Sequence, residues 1–219
     1  EDINLNNISL HIYQGESLGI IGEPGSSKTL IGRILSGTVK PDKGKVIRTE
    51  NVFYGDMEHR QVTYQTVQDF VDSAVQLFPY KVNDHKAEQI IQWAHLGDKA
   101  KTSISNLSPT EYAQLLLSIA RSSQNKIIIL SHVLTHLDDV FFKRAIELSD
   151  DYIQSNQTLV LIDNDIDKIS KTANYITWVS HGQIRKEGSL NQVLPVFREH
   201  EKDRQSIDSK TQLLSLIHI

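Results

Sequence analysis

The sequence contains no cysteine. Disulfides, thiolate metal sites and cysteine nucleophiles are therefore excluded, and a reducing compartment is compatible with the chain. An excess of positive charge is missing too, since 23 Lys and Arg stand against 27 Asp and Glu for a net charge of −4. That balance gives no general affinity for nucleic acid or anionic lipid, and no nucleic-acid partner is expected. No apolar run approaches the roughly 18 residues that span a bilayer, and no secretory signal is visible. The chain starts at Glu1 rather than Met, so its true N-terminus is expected upstream. Residues 207–219 form a polar then apolar tail, set aside as foreign to the native chain. What is present is a globular composition over 219 residues, enough to bury a core as one domain with room for a small subdomain.

Apolar patterning divides the chain into strands and helices. Residues 8–12 alternate apolar and polar side chains, as a half-exposed strand does, and 18–21 is a short apolar run suited to a buried strand. Leu30, Ile31, Ile34 and Leu35 mark one face of a helix that Gly37 ends. Further strands are expected at 46–47 and 52–54. Residues 66–96 carry apolar side chains at helical spacing, and the stretch 66–123 reads as a helical subdomain within an ordered domain spanning 1–206. Buried strands follow at 127–130 and 158–162 with a helix at 139–154 between them. Strands at 176–179 and 184–187 flank His181-Gly182, and a polar helix at 189–202 closes the ordered part. Strands alternating with helices predict an α/β fold whose sheet is largely parallel.

The run Gly22-Glu23-Pro24-Gly25-Ser26-Ser27-Lys28-Thr29 lies between a buried strand and a helix. Its spacing is that of a phosphate-binding P-loop, in which backbone N–H groups close around phosphate oxygens. Gly22 and Gly25 permit that close approach, and Lys28 offers a cation to the β- and γ-phosphates. Thr29 offers a hydroxyl to Mg2+ at a helix N-terminus that favours anions. Ser27 stands where a glycine is usual in such loops.

The P-loop near the start, the helical middle and the late buried strand together resemble the ATP-binding subunit of ABC transporters. The likeness extends over nearly the whole chain. It is carried by Ile8-Ser9-Leu10 before Gly15-Glu16, by Leu35-Ser36-Gly37, by Pro41-Asp42-Lys43-Gly44-Lys45-Val46, and by the strand–turn–strand around His181-Gly182 followed by Gly188. Within the family the sequence is closest to the ATP-binding subunits of teichoic acid and polysaccharide exporters. The resemblance implies a P-loop NTPase fold with a mostly parallel core, N-terminal antiparallel strands and a helical subdomain. It implies ATP and Mg2+ as cofactors, a membrane permease and a second ATP-binding subunit as partners, and a peripheral place on the cytoplasmic side of the plasma membrane.

The same resemblance shows where this chain departs from the pattern. The family signature Leu-Ser-Gly-Gly-Gln falls at Leu107-Ser108-Pro109-Thr110-Glu111, of which only Leu107 and Ser108 match. The same residues also read as a helix start, with Ser108 as N-cap and Glu111 closing a capping box. The Asp-Glu pair expected after strand 127–130 is Ser131-His132, so the magnesium carboxylate and the water-polarising carboxylate are both replaced. Asp138 matches the family's D-loop aspartate, and equally suits a helix N-terminus. Asn164 stands at the switch-histidine position, within an acidic trio that a turn and helix cap explain more simply. The Q-loop position falls at Asp56-Met57 without a glutamine, though Gln61 and Gln65 lie nearby. The expectation is a nucleotide-binding subunit with weak or absent hydrolysis, His132 and Asn164 occupying catalytic positions. A regulatory or scaffold protein of the same fold, outside transport, stays open as the alternative, and an unrelated P-loop kinase ranks last.

Overall fold

The computed structural model describes residues 4–58 and 65–216, with side chains described up to residue 207. Its centre is a six-stranded sheet built from β1 (Ser17–Ile21), β2 (Val52–Asp56), β3 (Ile127–Ser131), β4 (Thr158–Ile162), β5 (Tyr175–Ser180) and β6 (Gln183–Ser189). The strand order is β2-β3-β4-β1-β5-β6. All neighbours pair parallel except β5 and β6, which form an antiparallel hairpin. β1 and β4 are buried along their whole length, the condition under which a parallel strand reads as a continuous apolar run.

The register fixes which loops meet. Ile20 and Ser131 both lie opposite Ile162, so β1, β3 and β4 end level with one another. Parallel strands release their following loops at one edge, which is where ligands of open α/β sheets bind. Residues 22–27, 131–132 and 163–165 therefore share that edge.

Helices cover the sheet. Helix α1 (Lys28–Ser36) stops at Gly37, whose φ of 89° and N–H bonds to the carbonyls of Arg33 and Ile34 form a left-handed cap. Gly32 lets this helix approach the sheet, because a Cβ there would lie 2.5 Å from Cδ1 of Ile162. Helices α2 (Val67–Val75), α3 (Lys86–Trp93) and α4 (Pro109–Ser123), with short 3-10 turns at Gly97–Lys99 and Ile104–Asn106, make up the expected helical middle. They bury Val67, Val71, Ile90, Ile91, Leu115 and Ile119 in the main core. A short helix α5 (Val133–His136), then α6 (Asp139–Gln154) and α7 (Ile166–Thr172), follow β3 and β4.

Helix α8 (Leu190–Leu216) continues well past the end expected at residue 202. Its polar stretch is rich in Glu, Lys, Arg and Gln, which propagate a helix without needing burial. Near its start it docks through Val193, Leu194 and Phe197, the last edge-on to Trp178 with ring centroids 5.2 Å apart.

The expected strands at 8–12 and 46–47 carry no ladder, so the antiparallel part of the sheet is β5–β6 and not an N-terminal pair. The alternation at 8–12 is real, since Leu10 and Ile12 pack against the smaller core cluster while Ser9 and His11 are exposed. Alternation specifies which side faces the core, not that a partner strand exists. Ile47, the natural candidate for one, is 87% exposed.

Candidate nucleotide site

The loop at 22–27 is shaped by close contacts at its base. A Cβ on Gly22 would fall 2.2 Å from the carbonyl oxygen of Val179, so only glycine lets the chain pass β5 there. Gly25 has a φ of 80°. Ser27 is the N-cap of α1 at φ 68°, a left-handed conformation that costs a side-chain-bearing residue roughly 1–2 kcal/mol. The chain thus keeps the loop conformation while losing the glycine that adopts it freely.

Lys28 is buried, at 4% exposure, and its Nζ donates across the loop to the carbonyl oxygen of Glu23 at 3.3 Å. Burial lowers its pKa, against the opposing pull of Glu58, Glu23 and Asp163. The loop leans on the β5–β6 turn. Glu23 Oε1 accepts the Ser180 hydroxyl at 2.7 Å, and the Gly182 N–H donates to the Ser26 carbonyl at 3.2 Å. Burial alone would raise the Glu23 pKa. The Ser180 hydrogen bond, a backbone N–H and His181 outweigh it, so the carboxyl lies below its ordinary value. This support by Ser180 and Gly182 is absent from the sequence reading, because Ser180 lies 157 residues from Glu23.

Beyond the loop, the structure joins two residues that the sequence named separately. His132 has a φ of 58° and donates its backbone N–H to the Ile162 carbonyl at 2.7 Å. That anchors the imidazole over the start of α1, with Nε2 3.1 Å from Thr29 Oγ1. The same nitrogen lies 3.2 Å from Glu58 Oε1. Glu58 was not foreseen. It follows β2 at the place where the Q-loop was expected, and Arg33 holds its other oxygen at 3.6 Å. Asp56 is turned into the structure instead, taking the Tyr54 hydroxyl at 2.8 Å. Gln61 lies outside the described residues, and Gln65 lines a cavity beside β2 and α2.

The other candidates have structural work. Asp163 is fully buried and accepts the backbone N–H groups of Thr135 (3.1 Å), Asn164 (2.8 Å) and Asp165 (3.0 Å), together with the Thr135 hydroxyl. Asp165 caps α7 through the Lys168 N–H at 3.0 Å, and Asn164 is exposed between them. Lys168 then ties its Nζ to the carbonyls of Leu134 at 2.8 Å and Leu137 at 2.7 Å. Ser108 and Glu111 form the expected capping box of α4, with bonds of 3.2 Å and 2.9 Å, and Lys99 pairs with Glu111. Asp138 caps α6 through the Phe141 N–H at 2.8 Å and accepts Gln114 Nε2 at 2.9 Å. Among the described residues no hydrogen bond or ion pair joins Ser108, Asp138 or Asn164 to the loop at 22–29.

The residues present do not fit Mg2+ as the resemblance implies it. Mg2+ requires near-octahedral oxygen donors. Ser131, where the carboxylate should stand, is fully buried with its hydroxyl oxygen lacking a hydrogen-bond partner, and a ring nitrogen meets the Thr29 hydroxyl.

Comparison with known proteins agrees with this architecture. A family profile described as ABC transporter matches residues 5–132, more than half of the chain. The chain belongs to the ABC transporter family. Teichoic acids export ATP-binding protein TagH of Shouchella clausii is 23% identical over 200 residues, covering 90% of this chain and 55% of that protein. TagH of Staphylococcus haemolyticus is 21% identical over 201 residues, covering 91% and 76%. TagH of Listeria monocytogenes is 23% identical over 206 residues, covering 90% and 60%. The chain thus spans little more than half the length of two of these relatives. Among solved structures, a dimeric ATP-binding cassette in a post-hydrolysis state with ADP and Pi superposes with a TM-score of 0.74 at 18% identity, covering 85% of this chain and 90% of that one. An ATP-binding subunit of an ABC transporter superposes with a TM-score of 0.72 at 14% identity, covering 88% and 86%. The P-loop NTPase fold of ABC cassettes is therefore the fold of this chain. No described helix is long and apolar enough to cross a membrane.

Proposed function

We propose that this chain is the nucleotide-binding subunit of an exporter of cell-surface polysaccharide of the teichoic acid class, holding ATP through residues 22–29 with weak or absent hydrolysis of its own. The observation that carries the reading is the pair after β3. Ser131 and His132 stand in place of two carboxylates, and the His132 ring is held against Thr29 and Glu58. Phosphoryl transfer is catalysed by positioning and charge stabilisation, and each acid–base group removed typically costs about 10²–10⁴-fold in rate. The TagH relatives support the choice of cargo class.

Such a subunit works on the cytoplasmic face of the plasma membrane, bound to a permease and facing a second ATP-binding subunit that supplies a competent site. Affinity purification of the tagged chain from membranes of its native host tests this assignment. The expected result is co-recovery of a polytopic membrane protein and a second cassette. Recovery of the chain in the soluble fraction alone, with neither partner, contradicts it and favours a regulatory or scaffold role.

A further inference from the structure

We propose that Arg121, Arg144 and His95 form a second anion site, beside Trp93, that takes the phosphate group of a small soluble molecule. The site lies among α3, α4 and α6 and shares no residue with the loop at 22–29, so it stands apart from the nucleotide reading. Arg121 comes from the last turn of α4 and Arg144 from the first half of α6, while Trp93 ends α3 and His95 follows its cap. Both guanidiniums stack on one indole. The Arg144 guanidinium carbon lies 4.3 Å, and that of Arg121 5.1 Å, from the centre of the Trp93 ring. The two therefore sit closer together than about 10 Å, the distance over which charges act in 0.1 M salt.

Among the described residues neither arginine has an ion pair with a carboxylate. The neighbours of Arg121 on its own helix face are Leu117, Ser118, Gln124 and Asn125, none of them acidic. Two like charges held side by side without a counter-charge gain from an anion placed between them. Stacking also leaves the edge of each guanidinium, with its N–H groups, open to a ligand. Arg144 spends Nη1 on the Trp93 carbonyl at 2.9 Å, closing the end of α3, and Nη2 on His95 Nε2 at 3.3 Å. Arg121 donates to no described residue. Helix capping thus accounts for Arg144 and leaves Arg121 and His95 without a structural task.

His95 is the second observation. Its φ is 60°, its N–H donates to the Gln92 carbonyl and the Leu96 N–H donates to that of Ile91, both at 3.0 Å. In that pattern a helix ends on a left-handed residue, usually glycine. A histidine there is strained, and such strain points to a use for the side chain. A guanidinium can only donate, so His95 Nε2 accepts from Arg144 and Nδ1 carries the hydrogen. The ring rests edge-on against Phe141, with centroids 5.1 Å apart, and is otherwise exposed. It adds an N–H donor beside two arginine forks, whose geometry matches the paired oxygens of phosphate. The net charge of −4 opposes approach to a continuous anionic surface and leaves a small anion as the ligand.

The test titrates pyrophosphate into the full chain carrying Lys28→Ala, which removes the contribution of the cradle. Calorimetry and tryptophan emission are read at constant ionic strength. Of the two tryptophans Trp178 is 1% exposed, so the emission change reports Trp93. Saturable binding at about 1 mM or tighter is expected. Arg121→Gln should weaken it about tenfold or more, the loss of a charge-assisted bond. Arg121 is exposed, so this variant should fold normally. His95→Gly suits the left-handed backbone and should keep or raise the thermal midpoint while weakening binding about threefold or more. No binding at about 10 mM pyrophosphate, an equal response to sodium chloride at matched ionic strength, or affinity unchanged in both variants would overturn the proposal. Sedimentation with phosphatidylglycerol vesicles is the second arm. Arg121-dependent sedimentation without a pyrophosphate response would assign the patch to a membrane surface and overturn the small-anion proposal. Each of these outcomes leaves nucleotide binding at 22–29 untouched.

Discussion

Lys28→Ala is expected to weaken ATP binding about ten- to a hundredfold, the effect of losing roughly 1.5–3 kcal/mol from a hydrogen bond to a charged group. The Lys28 ammonium is the cation of the cradle, and at 4% exposure it is already withdrawn from water. Phosphate therefore gains a partner whose desolvation has been met by folding. In the structure its Nζ is engaged by the Glu23 carbonyl at 3.3 Å, a long bond that phosphate oxygens can readily replace. Titration calorimetry on the wild type and the variant measures the loss directly, with circular dichroism to show that the fold survives. Unchanged affinity would mean that the loop at 22–29 keeps the shape of a P-loop without its function.

Asp163→Ala is expected to cost about 3 kcal/mol or more of folding stability while changing nucleotide affinity little. The carboxylate collects three backbone N–H groups and a hydroxyl from Thr135, Asn164 and Asp165. Leaving several such donors without a partner in a buried place costs about 1–3 kcal/mol each, reduced by whatever water reaches them. Asp163→Asn should be intermediate, since an amide keeps one acceptor but presents N–H groups to the Thr135 N–H. Urea denaturation of the three proteins ranks them. A large loss of ATP affinity with unchanged stability would contradict the structural role and place Asp163 in the nucleotide site.

These two residues mark the division between what the sequence disclosed and what it did not. Lys28 is legible because the cradle is local, with glycines, lysine and threonine all within one strand–loop–helix connection. Ser108 and Glu111 are legible for the same reason, a cap being a matter of residues three apart. The buried strands β1, β3 and β4 are legible from their apolar runs. The alternation at 8–12 is misleading as a strand because pairing requires a partner elsewhere in the chain, and none forms among the described residues. The junction of Thr29 with His132 spans 103 residues and depends on β1 and β3 ending level on either side of β4. Glu58 carries no motif at all. Its part in the site arises from the end of β2 and the hold of Arg33. Asp163 reads from sequence as one of two acids flanking Asn164 in a turn and helix cap, and only the fold shows its carboxylate directed into the backbone of the loop that bears it.

Glycine positions tell a related story. Ser27 keeps the left-handed conformation at φ 68° although it carries a side chain. The loop geometry is therefore held by its surroundings, chiefly the contact of Gly22 with β5 and the bonds from Ser180 and Gly182. The cradle is supported on the β5–β6 side by these contacts, whereas the end of β3 carries Ser131 and His132. The proposed function rests on that contrast: a loop at 22–29 held in P-loop shape, beside Ser131 and His132 where the resemblance leads one to expect two carboxylates.

The most direct measurement is ATP binding and ATP turnover in the same preparation of the purified chain with Mg2+ present. The account predicts saturable binding with turnover below about 0.1 per second, at least a hundredfold under a typical enzyme rate. Turnover near about 10 per second, abolished by Lys28→Ala, would contradict it.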